Sequence, residues 1–246
     1  MPGLPESSVL RNRDHIEFRL LSDGDDAPFL ALSTVEAGSM SWKDSRGPEH
    51  RQRLYDNLGI EVPVHAQLQQ HTKLVNPVSD KTLRNPPVQT GDGLRMPRGP
   101  GFLSATVADC MPVYIWHRKI GEIILLHSGW KGTGILAEAL LRYSPRERKE
   151  EITVFLGPSI ADCCYQVDRE RYNLFRASFG GRAVREEEGH YFLSLLQANL
   201  GIAEKLEVTS VYYYNPCTCC NPEFGSFRRQ GPQKFSSMLA LIGYFQ

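Results

Sequence analysis

Short apolar runs alternate along this chain with polar breaks rich in glycine and proline, and most runs are too short for helices. His15–Leu21 (HIEFRLL) and Pro28–Thr34 (PFLALST) read as strands. Ser22-Asp23-Gly24-Asp25-Asp26 between them has the residues of a hairpin turn. Phe102–Val107, Val113–Trp116, Glu122–Leu126, Ile152–Leu156 and Leu206–Tyr214 also read as strands, and Met238–Tyr244 is a further apolar segment. Helical spacing is plainest in Ile135–Tyr143, and helices are expected at Pro48–Leu58, Asp168–Phe179 and Phe192–Ala203. Pro63–Val75 is expected to be extended. Residues 76–101, dense in Pro, Gly and Asn, are expected to form one long loop, and residues 1–10 a disordered tail. Pro112 has no amide hydrogen for a ladder, so a break or bulge is expected between Val107 and Val113.

Strands and helices alternate without a regular βαβ period, and neither a repeat nor a linker divides the chain. The expected architecture is one α+β (mixed α/β) domain over residues 1–246, with mixed β-sheets packed against helices.

Composition narrows the function. The 246 residues are 41% hydrophobic and 23% charged, enough to bury a sizeable core. The 28 basic and 28 acidic side chains cancel, so no global field favours nucleic acid as a partner. No apolar run reaches the roughly 18–20 residues that span a bilayer, and Met1–Leu10 lacks a basic-then-apolar leader. A cytoplasmic protein without membrane or nucleic-acid partners is expected. Five of the six cysteines fall in two tight clusters, Cys163-Cys164 and Cys217/Cys219/Cys220, as suits thiols kept reduced.

The sixth, Cys110, follows Asp109 at the expected strand break, and His127 ends the apolar strand IILL. Spacing alone fits a buried thiol and a core histidine equally well. Two chemistries suit the pair. Two imidazoles and a thiolate make a zinc site with an open position for water or substrate. Alternatively, Cys110 is a thiolate nucleophile and His127 its base. Each needs a third group. His71, among Gln69, Gln70 and Thr72, is a better candidate than His15, His50, His65, His117 or His190, and His117 is expected in an exposed turn with Arg118 and Lys119. Gly129-Trp130-Lys131-Gly132-Thr133-Gly134 is either a plain turn before a helix or an anion cradle with Lys131. Arg228-Arg229 is either a solvated basic turn or an anion clamp. The clustered cysteines lack paired CxxC spacing, so buried thiols are the plainer reading and a second metal the lesser one.

Taken in order, these motifs cease to be independent. Gln70-His71, Thr90-Gly91-Asp92, Ala108-Asp109-Cys110-Met111-Pro112-Val113, His127-Ser128-Gly129-Trp130-Lys131-Gly132, Gly157-Pro158-Ser159-Ile160, Cys164-Tyr165-Gln166-Val167, Cys217-Thr218 and Ser226-Phe227-Arg228-Arg229 resemble the YfiH-like family over residues 67–242. That family is also called multicopper polyphenol oxidoreductase or laccase-like, and is described too as a purine nucleoside phosphorylase family. The resemblance implies a YfiH-like fold of mixed sheets and helices. It implies zinc, or copper in older descriptions, on His71, Cys110 and His127. It implies phosphorolysis of adenosine, inosine or methylthioadenosine, with adenosine deamination as a side activity. Editing of a cell-wall precursor by amide hydrolysis and phenol oxidation are its other ascribed activities. Only seven histidines are present, without an HxH pair, which argues against the multicopper chemistry of laccases.

The family's arginine before a Gly-Gly pair is replaced within Thr34–Gly38, and its Thr-Gly-Arg reads Gln233-Lys234-Phe235. The roles expected are therefore His71, Cys110 and His127 as metal ligands, with Cys110, His127 and Asp109 in catalysis. Asp109 is expected as orienter or base, and Lys131, Arg228 and Gln70 on phosphate or substrate. The alternatives are a precursor-editing amidase and a non-enzymatic module with a structural metal. A monomer and a dimer are both compatible with the sequence.

Overall fold

A computed structural model describes residues 3–20, 26–143 and 150–246. The strands in chain order are β1 (Val9–Arg11), β2 (His15–Phe18), β3 (Phe29–Ser33), β4 (Val64–His65), β5 (Val75–Pro77), β6 (Gly93–Met96), β7 (Gly101–Val107), β8 (Met111–His117), β9 (Glu122–Ser128), β10 (Ile152–Leu156), β11 (Gln166–Val167), β12 (Val184–Glu187), β13 (His190–Leu193), β14 (Ser210–Tyr213) and β15 (Met238–Tyr244). The helices are α1 (Gly47–Leu58), α2 (Ile135–Tyr143), α3 (Arg169–Phe179), α4 (Leu195–Lys205) and the single turn α5 (Phe227–Gln230).

Two six-stranded sheets carry the fold. One runs β1-β2-β3-β15-β7-β4, the other β14-β10-β8-β9-β6-β5, and β11-β13-β12 form a small third sheet. The alternation along β8 shows how they stack. Tyr114 and Trp116 face the first sheet, packing with Phe18, Leu103 and Ile242. Val113 and Ile115 face the other way, toward Ile135, Leu136 and Ala139 of α2 and Ala198 of α4. The first sheet's outer face, with Phe102, Leu239 and Leu241, is covered by Leu54 of α1 and by Met40. The order of layers is helix, sheet, sheet, helices. Strands buried on both faces need apolar residues at every position, which is why VYIW and IILL read as unbroken runs. The mixed α/β architecture expected from the sequence is therefore the one observed. No helix among the described residues is long and apolar enough to cross a membrane.

Several local expectations differ from the structure. Residues 3–10, expected as a disordered tail, are anchored: Leu4 is buried, its amide donates to Tyr213 O at 2.7 Å, and Val9 begins β1. The expected loop 76–101 contains the end of β5, a 3-10 turn at Asp80–Leu83 and β6, because β9 pairs with β6 across Gly93–Met96. His117 is buried at the end of β8, paired with Glu122 and Ile152 on its two flanks, not in an exposed turn. The helix expected from Phe192 begins at Leu195, because β13 runs to Leu193 and Ser194 caps α4 by accepting from the Gln197 amide. β8 begins at Met111, ahead of Val113. Pro112 fits there because β10 ends opposite Val113 and the Pro112 carbonyl still accepts from Gly157 N at 3.0 Å. The strands expected near residues 15–21 and 28–34 pair antiparallel, while most of the expected hairpin turn falls outside the described residues.

Candidate metal centre

Two turns and a strand end meet at one end of the central strands of the second sheet. Cys110 lies in the turn joining β7 to β8. His127 lies in β9, directly across the ladder from Pro112, so thiol and imidazole emerge at the same end of neighbouring strands. His71 arrives from the irregular segment between β4 and β5. The three potential ligand atoms all lie within 4.8 Å of one another. Cys110 Sγ is 3.8 Å from His71 Nε2, and the two imidazole rings stand 4.9 Å apart at an interplanar angle of 73°. Burial is graded across the group: His127 is buried, Cys110 half-buried and His71 exposed, which leaves one side open to solvent.

A single carboxylate organises this geometry, and the sequence pattern did not reveal it. Asp92, immediately before β6, is 1% exposed. It accepts from the backbone amides of Gln70 (3.2 Å), His71 (3.0 Å) and Thr72 (2.6 Å), from the Thr72 hydroxyl (2.8 Å), and from His127 Nδ1 (2.8 Å). The His127 proton on Nδ1 therefore points at Asp92, leaving Nε2 for a ligand, as outer partners of metal-binding histidines commonly arrange. The same grip holds His71 at φ 58°, a left-handed conformation that a non-glycine residue rarely adopts without support. The visible signal was only Thr90-Gly91-Asp92, a polar turn before a strand.

The charges reinforce one another. Burial alone would raise the Cys110 thiol, but the His127 charge and hydrogen bonds from His127 and His71 outweigh it and bring it down to about 6. Burial opposes the His127 imidazolium, yet Cys110 and Asp92 push it up to about 10. Burial likewise opposes ionisation of Asp92, and the His127 and Thr72 donors bring it down to about 2. A thiolate near neutrality is the protonation state that a soft or borderline metal takes.

Asp109, expected as orienter or base, has both oxygens engaged. Oδ1 accepts from the Thr218 hydroxyl and Oδ2 from the Arg228 amide, each at 2.7 Å. Its φ is 82°, so these bonds hold a left-handed residue immediately before Cys110. Both carboxylate oxygens thus already meet protein donors. The exposed Arg228 guanidinium donates to the carbonyls of Cys164 and Gln166 at 2.9 Å each and lies 5.6 Å from the Tyr165 ring. Arg229 donates to the carbonyls of Thr218, Cys219, Asn221 and Phe224. Gln70 meets Asp92 through its amide, and its side chain is exposed.

In the 129–134 turn, Thr133 N bonds back to Gly129 O and Ile135 N to Gly132 O, so those amides do not cradle an anion. Lys131 Nζ sits 5.4 Å from the centre of the Trp130 ring, and Arg171 lies 4.3 Å from the same ring. Behind this turn is a groove of about 590 Å³ lined by Lys73, Trp130, Lys131, Leu174, Phe179 and Lys205.

Gly129 is required by proximity. A Cβ there would lie 2.7 Å from Cys110 Sγ and 3.1 Å from His71 Cδ2. Gly129→Ala is expected to weaken metal binding about tenfold or more with every ligand retained, because the ligand atoms must part to admit a methyl group. Competition titration with a chromogenic chelator reads this directly, and affinity equal to wild type would show that the turn can yield.

The clustered cysteines are closer than their spacing suggested. The sulfurs of Cys163, Cys164, Cys217 and Cys220 lie within 4.8 Å of one another, with Cys163 and Cys220 exposed. The other five histidines are placed elsewhere: His15 beside Asp14, His50 on Ser39 O, His65 on Thr82, His117 near Glu151 and His190 on Gln166. Among the described residues, the two clusters are the only groups of three or more donors this close.

Residues 40–244 match the family model for multi-copper polyphenol oxidoreductase laccase. A protein of Deinococcus radiodurans named purine nucleoside phosphorylase is 32% identical over 199 residues, 79% of this chain and 76% of the relative. One of Clostridium acetobutylicum with the same activity in its name is 26% identical over 222 residues, 87% of this chain and 92% of the relative. The crystal structure of YlmD from Geobacillus stearothermophilus superposes with a TM-score of 0.88 at 25% identity, covering 97% of this chain and 99% of that one.

Proposed function

We propose, proceeding from the fact that this chain belongs to the multi-copper polyphenol oxidoreductase laccase family, that it is a zinc-dependent purine nucleoside phosphorylase with adenosine deamination as a side activity. The observation that carries this reading is the convergence of one thiolate and two imidazoles on a point open to solvent, with His127 oriented by Asp92. One thiolate with two imidazoles is a donor set that suits zinc with a free coordination position. It also suits a single copper. Oxygen reduction by several coppers needs further histidine clusters, and the remaining histidines have the separate placements described above. Laccase chemistry is therefore the less favoured reading. The relatives' names support nucleoside cleavage at the level of the family.

When bound, zinc supplies Lewis-acid polarisation and brings the pKa of water toward neutrality. The remaining work falls to the chain. In phosphorolysis a phosphate oxygen bonds to C1′ while the C1′–N9 bond breaks; its electron pair leaves with the purine, which takes up a proton. The dianion needs cations, and Lys131 and Lys73, the latter two positions after His71, line the groove behind the 129–134 turn. The purine needs an apolar face, and Trp130 and Tyr165 offer rings at this end. Burial and the negative charge of Cys110 raise the Tyr165 phenol, against Arg171 and Arg228, so it stays a neutral donor at physiological pH. Asp109, through Thr218 and the Arg228 amide, keeps the Cys110 turn in register.

Incubated with inosine and phosphate, the purified protein is expected to release hypoxanthine and form ribose 1-phosphate, at a rate that rises with phosphate. Equal release in phosphate-free buffer would replace phosphorolysis by hydrolysis, the chemistry an amidase acting on cell-wall precursors also uses. No release from any purine nucleoside would remove the reading.

A further inference from the structure

We propose that Cys163, Cys164, Cys217 and Cys220 form a second, structural metal site, a tetrathiolate that binds zinc and pins the turn carrying Asp109 and Cys110. The first argument is size. Four sulfurs about 2.3 Å from a central zinc stand at the corners of a tetrahedron with edges of about 3.8 Å. Cys163 and Cys164 are 3.8 Å apart, Cys163 and Cys220 3.6 Å, and Cys164 and Cys220 3.3 Å, with all four sulfurs inside 4.8 Å. All are free thiols.

The second argument is how the cluster is built. Cys217-Thr218-Cys219-Cys220 is a CxxC turn closed by Asn221 N on Cys217 O at 3.0 Å. The Cys217 sulfur accepts from the Ala161 amide at 3.4 Å. An amide donating to sulfur stabilises a thiolate more than a thiol. A parallel bridge, Ser159 to Cys217, brings the two sequence clusters together, so adjacent cysteines on one loop meet a CxxC on another.

The third argument is charge. Four thiols that bind Zn²⁺ release four protons and leave a complex of formal charge −2. Two guanidiniums sit on the backbone of the same loops: Arg228 donates to Cys164 O and Arg229 to Cys219 O. Cations on the carbonyl side of two cysteine loops offset the dianion that full occupancy creates.

The placement assigns the site its task. Thr218, between two of the ligands, donates to Asp109, and Asp109 precedes Cys110. A metal at the four cysteines therefore ties loops 161–166 and 217–221 into one block that fixes the turn of the catalytic thiolate, without contact with substrate. The proposal stands whatever the reaction at His71, Cys110 and His127 is.

The test uses the full chain purified under reducing conditions. Wild type is expected to hold two zinc ions, Cys110→Ala one, and Cys163→Ser/Cys220→Ser one. Zinc-edge X-ray absorption of Cys110→Ala should show four sulfur scatterers at about 2.3 Å and no nitrogen. The double cysteine variant should keep the mixed nitrogen and sulfur signature and melt at a lower temperature. If that variant fails to fold, the spectrum of Cys110→Ala decides alone. A metal-free Cys110→Ala, nitrogen or oxygen in its zinc shell, or a disulfide among the four cysteines in freshly purified wild type would each overturn the proposal.

Discussion

Cys110→Ala is expected to lower kcat/KM for nucleoside cleavage by roughly a thousand-fold or more, beyond the ten- to hundred-fold typical when only an outer partner of a metal ligand is lost. The substitution removes the one anionic donor of the site, and two imidazoles on different elements hold zinc poorly by themselves. It also removes the larger of the two partners that push His127 up to about 10, leaving Asp92 alone to raise the imidazole against burial. The fold should survive. Cys110 occupies a turn between β7 and β8, and those strands pair through β15 and β9 without its side chain. Steady-state kinetics with metal analysis and thermal melting separate the effects. Activity within tenfold of wild type, in protein that has lost the metal of the triad, would detach the reaction from these ligands.

Asp92→Asn should be nearly as severe by a different route. The amide nitrogen that replaces one oxygen would face donors, since the carboxylate receives three backbone amides, the Thr72 hydroxyl and His127 Nδ1. A stability loss on the order of 3 kcal/mol is expected, as for breaking a buried ion pair. Metal affinity should fall about ten- to a hundred-fold. Protonation carries the same message. Asp92 is depressed to about 2, against roughly 3.9 in an unfolded chain. Its stabilisation is therefore complete above about pH 4 and is lost as pH falls through about 2. Denaturant unfolding of the metal-free protein at a series of acid pH values should show this limb in wild type and a flatter one in Asp92→Asn. An unchanged acid limb would assign the titration to other carboxylates.

How much of this was legible in the sequence depends on where the determining contacts lie. VYIW and IILL announced buried strands because both faces of β8 and β9 are covered, so no polar alternation was needed. Cys110 and His127 were legible as strand-end residues, since strand ends next to glycine-rich turns expose side chains on a rigid base. β5 and β6 were not, because Val-Asn-Pro and Gly-Leu-Arg-Met have neither length nor period; β6 is held by pairing with β9, and β5 by pairing with β6. His117 was misread through its neighbours: Arg118 and Lys119 belong to the following turn, while His117 still lies in the sheet. Asp92 acts mainly on backbone amides twenty or more positions away, which leave no side-chain pattern to read. The cysteine cluster is the same case. Its two halves lie more than fifty positions apart, and contacts such as the Ser159–Cys217 bridge and the Ala161 amide on the Cys217 sulfur bring them together.

The position of β15 between β3 and β7 has a kinetic consequence. Its partners are Phe29–Leu32 and Gly101–Val107, so the middle of the first sheet closes only when segments far apart along the chain find one another. The β8–β9 hairpin and the β6–β9 pair of the second sheet join much nearer segments. Loops that long make for slow searching and a high contact order. His127 belongs to this local hairpin and Cys110 immediately precedes it, while Asp92, which holds the His71 amide, joins through β6. The candidate metal centre can thus take shape while the sheet behind it is still searching, and a metal captured there early would hold that hairpin as a template for the rest.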